Sequence, residues 1–166
     1  GTYPLPEAQL DRFLFKLLVP YPTADALREI LERTATERTP EAFPILDAET
    51  VLQMQSLIRQ TPIASNVRDF IVRLSLATHP DTPSAPDSVK QYVAYGASPR
   101  GAQSIELSAK VRAVADGRFN VAFEDIVAVA MPALRHRVLL NFEGAADRVQ
   151  TDTLLSEVLE NTPRNK

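Results

Sequence analysis

Thirteen prolines divide the 166-residue sequence into short segments, and this spacing most narrowly limits the folds that the chain can adopt. Proline interrupts helices and central strands, so the regions where prolines are closely spaced have room for only short elements. Between the prolines, apolar residues recur at helical spacing, for example around Leu27, Val51 and Phe70. The sequence therefore predicts a mainly α-helical domain made of short amphipathic helices.

Residues that favour helix starts locate the predicted helices. Thr23 is expected to cap a helix that runs to about Arg38, and Asp47 to cap another that runs through Gln60. Further helices are predicted over residues 65–78, 87–95 and 99–117. A brief extended piece in residues 118–126 is expected to lead into another helix, which Pro132 interrupts or restarts as PALRHRV, and Thr151 is the expected cap of the last helix. The proline-rich segment 79–86 is predicted to be the clearest loop.

The N-terminal residues follow a different pattern. Pro6 suits the first position of a short helix, and the apolar run Phe13–Val19 is closed by Pro20 and Pro22. Because this run is short and ends at prolines, a buried strand is predicted there. The short helix and the strand look like the end of another fold unit that precedes the helical domain.

Composition removes several classes of function. A net charge of −3 gives no general basic field, so broad binding to nucleic acid is not expected. The absence of cysteine excludes disulfides, zinc–thiolate sites and thiol catalysis. The two histidines, His79 and His136, have no neighbouring nucleophile and lie far apart in sequence, so neither a hydrolytic triad nor a metal site is predicted.

The sequence shows no feature of membrane insertion or secretion. No apolar run approaches the ~18 residues that a spanning helix needs, and the N-terminus lacks the pattern of a signal peptide. A cytoplasmic location is therefore expected. Gly1 stands where an initiator methionine would be, so the chain is expected to come from a longer protein.

Two glycines, Gly96 and Gly101, have the spacing of a phosphate-binding P-loop, but the surrounding residues argue against one. The lysine and the serine or threonine that should follow are replaced by Ala102 and Gln103. A P-loop also follows a strand, whereas Gly96 is expected to end a helix as a C-cap and Gly101 to lie inside the next helix. The spacing is interpreted as a coincidence.

Arginine is the residue type with the most chemical interest. Ser98 is a predicted N-cap, Pro99 the first helical position and Arg100 the second, where free N–H groups and a guanidinium favour an anion. Pairing of Arg100 with a nearby carboxylate is the alternative. Arg12 follows Asp11 directly, and local evidence favours a surface salt bridge between these two neighbours.

Four stretches of the sequence resemble, in the same order, the MoxR family of AAA+ ATPases. They are GTYPLPEAQLDRFLFKLLVPYP, TPIASNVRDFIVRLSLATHPD, YVAYGASPRGAQSI and FEDIVAVAMPALRHRV. The combination of EAQLDRF, GASPRG and LRHR is specific to the family. The resemblance covers most of residues 1–142, and the last part of the chain matches only loosely.

The resemblance implies a division of the chain and a role for two arginines. Residues 1–22 would be the last helix and strand of the α/β nucleotide-binding core, and residues 23–166 a helical lid. Arg12, in LDRF, would be the arginine finger that reaches the ATP held by a neighbouring subunit. Arg100, in SPRG, would be the sensor-2 arginine that acts on the γ-phosphate of its own subunit's ATP.

Within this resemblance, Ser98 and Pro99 would lie beside Arg100 in the cofactor-binding motif, and Arg137 in LRHR has no assigned role. The chain lacks a G-x-x-x-x-G-K-[ST] loop and the acidic Walker B strand, so it is not expected to hydrolyse ATP by itself. ATP and Mg²⁺ are expected as cofactors of the full-length protein, with no tight binding to this chain alone.

The resemblance also implies partners. Neighbouring subunits of a homo-oligomeric ring, expected to be a hexamer, would complete the ATP site, and ATP hydrolysis would drive chaperone-like remodelling or assembly of a client protein. The alternative is a helical protein-interaction module that works without nucleotide. A DNA-binding helical domain is not favoured, because the sequence is acidic and contains no basic recognition helix.

Overall fold

The computed structural model describes residue 3, residues 5–35 and residues 41–164. By its internal contacts the chain divides into two units, residues 17–55 and a larger unit of residues 1–16 with 56–166. The boundary predicted between residues 22 and 23 came from the family resemblance, which divides a core remnant from a lid. This boundary stays a prediction.

The described residues are mainly helical, which confirms the predicted fold class. In chain order the helices are α1 (Glu7–Leu10), α2 (Ala24–Thr34), α3 (Ala48–Gln60), α4 (Ser65–Ala77), α5 (Asp87–Tyr92), α6 (Pro99–Ala115), α7 (Phe123–Leu134), α8 (Phe142–Ala146) and α9 (Thr151–Asn161). Two short strands, β1 (Val93–Tyr95) and β2 (Leu139–Leu140), pair antiparallel. Among these described helices, none combines the length and apolarity needed to cross a bilayer.

The smaller unit contains α2 and the first part of α3, and both helices begin at the predicted caps. The Thr23 side chain accepts a hydrogen bond from the Ala26 N–H at 3.3 Å, and Asp47 accepts one from the Thr50 N–H at 2.7 Å. Helix α2 ends at Thr34, earlier than predicted, and the expected end at Arg38 lies outside the described residues. Neither helix contains a buried residue.

The larger unit has a well-packed core built around α6 and α7. Small side chains on both helices allow close approach: Ala109 and Ala113 on α6, with Ala130 and Ala133 on α7, are fully buried. Helices α4 and α9 cover the same core. The rings of Phe70 and Phe123 meet edge to face, with centroids 5.4 Å apart.

The helix predicted over residues 87–95 is shorter than expected. Helix α5 ends at Tyr92, and the next three residues form β1, with Val93 opposite Leu140 and Tyr95 opposite Leu139. The strand pairing is a long-range contact that the local helical pattern does not reveal.

Gly96 consequently follows a strand, and the predicted C-cap glycine is wrong. Its lack of a side chain is required by packing, because a Cβ would lie 2.6 Å from the His79 Cγ and 2.7 Å from the Thr78 carbonyl oxygen. Gly101 lies inside α6, as predicted. A strand does precede Gly96, contrary to the prediction. The lysine and hydroxyl residue of a P-loop are still missing after Gly101, so the segment is not a P-loop.

The strand predicted for the apolar run Phe13–Val19 is also wrong. These residues have no ladder partner among the described residues, and they continue the chain from α1 in an irregular conformation. Leu17, Leu18 and Val19 are 69%, 62% and 88% exposed. A strand is stabilised by hydrogen bonds from a neighbouring strand, so an apolar run alone is insufficient.

Helix boundaries differ slightly from the prediction in three other places. Pro6 precedes α1 as its N-cap, where the first helical position was predicted. Pro132 lies in the last turn of α7, which continues through it to Leu134, so the predicted interruption is absent. Helix α9 is capped by Gln150 without a side-chain hydrogen bond, whereas Thr151 is its first residue.

Candidate functional site

The start of α6 has the predicted capping arrangement. The Ser98 Oγ accepts a hydrogen bond from the Arg100 backbone N–H at 3.2 Å, and Pro99 occupies the first helical position, where its missing N–H has no cost. The Ser98 hydroxyl in turn donates to the Asp11 Oδ1 at 2.7 Å. The beginning of α6 is therefore joined to the residue that follows α1.

Asp11 is the centre of the site because two arginines share its carboxylate. The Arg100 Nη1 lies 3.2 Å from Oδ2, and the Arg137 Nε lies 3.1 Å from Oδ1. Burial acts to raise the pKa of Asp11, but hydrogen bonds from Ser98, Arg100 and Arg137 outweigh it and hold this pKa below its usual value. Asp11 is therefore ionised at neutral pH.

Arg137 holds the backbone of the segment 11–14. Its side chain is 2% exposed, and its Nη2 donates to the Asp11 and Phe13 carbonyls at 2.9 Å and 2.7 Å. Its Nη1 donates to the carbonyls of Leu14, at 3.3 Å, and Ala133. Burial lowers the pKa of Arg137 and the Asp11 carboxylate opposes this effect; arginine remains charged in proteins.

The rest of the LRHR motif, residues 134–137, contacts the same segment. The His136 Nε2 donates to the Phe13 carbonyl at 3.0 Å, and the Arg135 Nη1 donates to the Lys16 carbonyl at 3.4 Å. The Lys16 N–H donates to the Pro132 carbonyl at 2.9 Å. The end of α7 thus anchors the residues that follow α1, a role that sequence reasoning did not assign to this motif.

Arg12 lies in the middle of the anchored segment but differs from its neighbours. Its side chain is exposed, and it makes no hydrogen bond or ion pair with any residue that the structure describes. Together with Arg100 and Arg137 it lines an open pocket of about 260 Å³. This pocket is also lined by Asp11, Leu14, Gln103, Ser104 and Leu107.

The structure changes the local interpretation of the arginines. The salt bridge expected between the neighbours Arg12 and Asp11 is wrong, because tertiary packing presents Asp11 to Arg100 and Arg137 instead. The alternative foreseen for Arg100, pairing with a carboxylate, occurs. Its side chain is still 50% exposed, so other guanidinium donors stay available.

Arg137 had one local signal in the sequence. It follows the apolar residues of α7 closely in sequence, and a charged residue in such surroundings must find partners if it is buried. Both histidines behave as structural groups: His136 donates to Phe13, and His79 donates from its Nε2 to the Ala97 carbonyl at 3.0 Å. Within the described residues, no group of three or more acidic or histidine side chains could hold a metal ion.

Two exposed guanidinium groups at one pocket, those of Arg12 and Arg100, suit an anion with several oxygens. Arginine offers planar N–H donors that match phosphate or carboxylate oxygens, and it keeps its charge at all physiological pH values. The single carboxylate of Asp11 balances only part of this charge. The site can therefore bind and position an anionic group.

Comparisons with a family model, with known proteins and with a solved structure agree with one another. The family model of the AAA lid domain matches residues 87–158. The chain is 36% identical over 160 residues to the chaperone MoxR1 of Mycobacterium tuberculosis, covering 96% of this chain and 42% of that protein. It is 30% identical over 162 residues to the uncharacterised protein YeaC of Bacillus subtilis, covering 96% of this chain and 47% of that protein.

A solved structure shows the same fold. The crystal structure of a proposed ATPase from Cytophaga hutchinsonii superposes with a TM-score of 0.91 at 31% sequence identity, covering 98% of this chain and 50% of the other. The chain thus spans less than half the length of the two curated relatives and half of the solved chain. The similarity extends over nearly all of the chain described above.

Proposed function

Since the chain is MoxR-like over 96% of its length and contains an AAA lid domain, we propose that it is the lid-bearing portion of an ATP-hydrolysing chaperone that works as a ring of subunits. Residues 23–166 form the lid in this proposal, and residues 1–22 form the end of the nucleotide-binding core. ATP hydrolysis changes the lid and remodels a client protein. The relative MoxR1 is named a chaperone, which supports the last step.

The observation that carries the proposal is the shared pocket of Arg12 and Arg100. Arg12 has no acidic partner among the described residues, and Arg100 uses only part of its guanidinium on Asp11. Both groups are thus available to an external phosphate. An arginine contributes to phosphoryl transfer mainly by stabilising the negative charge of the transition state.

Because both arginines line one pocket, we assign them to one nucleotide. The family resemblance gives Arg12 to the ATP of a neighbouring subunit and Arg100 to the ATP of its own subunit. A pocket of about 260 Å³ favours a single phosphate group between them. In this proposal both arginines act on the ATP of the neighbouring subunit, while the phosphate loop and Mg²⁺ ligands come from a nucleotide-binding core outside these residues.

The exposed apolar run Phe13–Val19 fits the same proposal. Its residues Leu17, Leu18 and Val19 are 69%, 62% and 88% exposed among the described residues, although such side chains gain stability by burial. A nucleotide-binding core would supply a neighbouring strand and an apolar layer.

The test is ATP turnover by the full-length protein with Arg12→Ala and Arg100→Ala. Arg12→Ala is expected to lower turnover by on the order of 10³-fold, the smaller effect of losing an arginine finger. Arg100→Ala should also lower it strongly, with both variants folded by circular dichroism. Arg28→Ala, an exposed arginine of α2 paired with Asp25, is the matched control and should change nothing. Near-normal turnover in both variants would contradict the assignment of Arg12 and Arg100 to ATP hydrolysis.

Mixed rings distinguish the two possible ATP molecules. Subunits with Arg100→Ala are mixed with subunits whose nucleotide-binding core cannot bind ATP but whose arginines are intact. If Arg100 acts on a neighbour's ATP, mixing restores part of the activity. If turnover stays absent, Arg100 acts on the ATP of its own subunit and the shared-nucleotide assignment is wrong.

The alternative, an interaction module that works without nucleotide, has one observation in its favour. Large apolar residues of the smaller unit are exposed, for example Leu31 at 59% and Leu52 at 64%. Scattered exposed apolar residues are common, but a concentration of them marks a binding surface. Saturable binding of a purified client with the same affinity in ATP, ADP and no nucleotide would favour this function over the first.

A further inference from the structure

We propose that Arg137 is a positioning residue for the phosphate site: it fixes the backbone on both sides of Arg12 and the carboxylate that orients Arg100. The inference rests on the proposed function of Arg12 and Arg100, and it gives the LRHR motif a role in the same site. Arg137 acts through its two neighbours, so it is not itself assigned to the reacting phosphate.

The first support is the way one guanidinium nitrogen brackets Arg12. The Arg137 Nη2 donates to the carbonyl of Asp11 at 2.9 Å and to that of Phe13 at 2.7 Å. These carbonyls belong to the residues immediately before and after Arg12. The backbone of the exposed arginine is therefore held from both sides by a side chain that is 2% exposed.

The second support is the shared carboxylate. The Arg137 Nε donates to one oxygen of Asp11, and Arg100 donates to the other. Because Asp11 is fixed by Arg137 and by the Ser98 hydroxyl, the Arg100 guanidinium has a defined partner and direction. One buried arginine thus connects the two exposed arginines that line the pocket.

The donor count explains why this position requires arginine. A guanidinium has five N–H donors, and Arg137 has five acceptors. They are the Asp11 Oδ1 and the carbonyls of Asp11, Phe13, Leu14 and Ala133. Lysine would keep the charge but offers only three donors from a single atom, so it cannot span these acceptors.

The space for this side chain depends on Gly101. A Cβ at position 101 would lie 3.3 Å from the Arg137 Cδ and 3.0 Å from a methyl group of Leu134. The glycine of the SPRG motif therefore makes room for the arginine of the LRHR motif. Two motifs that are separate in sequence form one packed arrangement around Asp11.

The test uses the full-length protein with Arg137→Lys, alone and in combination. Displacement of a catalytic group by about 1 Å costs on the order of 10²-fold in rate, so ATP turnover is expected to fall by about that factor. The fall should appear in kcat more than in KM. The matched control is Arg73→Lys, because Arg73 also donates to two backbone carbonyls, those of Pro163 and Arg164, but away from the pocket.

The combined variants separate positioning from general stability. If Arg137 acts only through Arg12 and Arg100, then Arg137→Lys costs nothing more in a protein that already has Arg12→Ala and Arg100→Ala. A cost that multiplies with the other two would overturn the positioning role. An unchanged kcat in Arg137→Lys alone would overturn it as well.

Amide hydrogen exchange gives a readout without ATP. In Arg137→Lys the Lys16 amide, which is bonded to the Pro132 carbonyl, should exchange at least about 10-fold faster, while amides of α4 stay unchanged. Unchanged exchange would contradict the anchoring. Normal turnover in Arg12→Ala and Arg100→Ala would instead refute the proposed function. If Arg137→Lys nevertheless exchanged its Lys16 amide faster, Arg137 would anchor the segment without serving that function.

Discussion

Two aspartates of this chain each bind two arginines, and the two clusters differ in how completely carboxylates match the positive charge. Asp125, in the first turn of α7, is 1% exposed and accepts from Arg118 at 2.6 Å and 2.8 Å, with Arg112 at 3.3 Å. Asp11 is 20% exposed, and its arginines Arg100 and Arg137 come from distant parts of the chain.

The local surroundings explain the difference. The Asp125 carboxylate also accepts the Ala122 N–H at 2.9 Å, so it closes the turn that joins α6 to α7. Hydrogen bonds from Arg118 lower the pKa of Asp125 against the effect of burial, and the same contact raises the pKa of Arg118. Asp116 also pairs with Arg118, at 3.1 Å, so two carboxylates match two arginines in a cluster of residues close in sequence.

The Asp11 cluster joins three segments and sets three arginines, Arg12, Arg100 and Arg137, against the one carboxylate of Asp11. Arg100 is half exposed, and Arg12 beside it has no partner among the described residues. The comparison teaches that an arginine–aspartate cluster indicates a binding site only when its positive charge is incompletely matched and open to solvent. By that criterion Asp125 is structural, and the pocket beside Asp11 is the candidate site.

The largest expected effect is the loss of the carboxylate that pairs with the most deeply buried arginine. Asp11→Ala leaves Arg137, which is 2% exposed, without its ion pair, and we expect a loss of about 3 kcal/mol in the free energy of unfolding, the low end for breaking a buried ion pair. Urea denaturation measures it. Asp125→Ala is the matched substitution and should cost less, because Arg118 and Arg112 are 37% and 49% exposed and stay hydrated; an equal or larger loss would contradict the distinction between the clusters.

A smaller effect is expected where α6 packs on the cluster around Asp11. Gly101→Ala would place a methyl group 3.0 Å from the Leu134 Cδ2 and 3.3 Å from the Arg137 Cδ. Overpacking of this kind costs about 1–3 kcal/mol, which denaturation would detect. Val111→Ala, at a position 43% exposed on the same helix, is the control. A stability equal to that of the wild type would show that Arg137 tolerates displacement.

The smallest effect concerns pH. Burial lowers the pKa of His136 below 6.5, with further lowering by Arg137 and Lys16 and opposition from the Phe13 carbonyl and Asp11. The unfolded state then binds more protons between the two pKa values. Stability from this group is complete above 6.5 and is lost as the pH falls towards the folded pKa. NMR titration of the imidazole measures it.

The structural reason for this pH effect is the free ring nitrogen. The Nε2 of His136 donates to Phe13, so protonation must occur at Nδ1, which is buried without a partner among the described residues. His136→Gln keeps a donor for the Phe13 carbonyl and removes the titration, so its stability should not change over the same pH interval. A His136 pKa above 6.5 would show that the neutral ring is not favoured.

The helices were predictable because their signals are local. Thr23, Asp47 and Ser98 cap the helices that they were expected to cap, and the apolar spacing around Phe70 identified the buried face of α4. Errors arose where long-range pairing decides, as in β1 and in the apolar run Phe13–Val19. Residues 93–95 pair with β2 and form a strand, whereas the run Phe13–Val19 has no strand partner among the described residues.

The sequence by itself determined the helical fold class, the caps at the start of α6, and the identity of Arg12 and Arg100 as the arginines of interest. Only the tertiary structure decided that Asp11 pairs with Arg100 and Arg137, and that residues 134–137 hold the segment containing Arg12. The reason is distance along the chain: Arg137 lies 126 residues from Asp11. Capping depends on neighbours within one turn, whereas this contact exists only after the helices have packed.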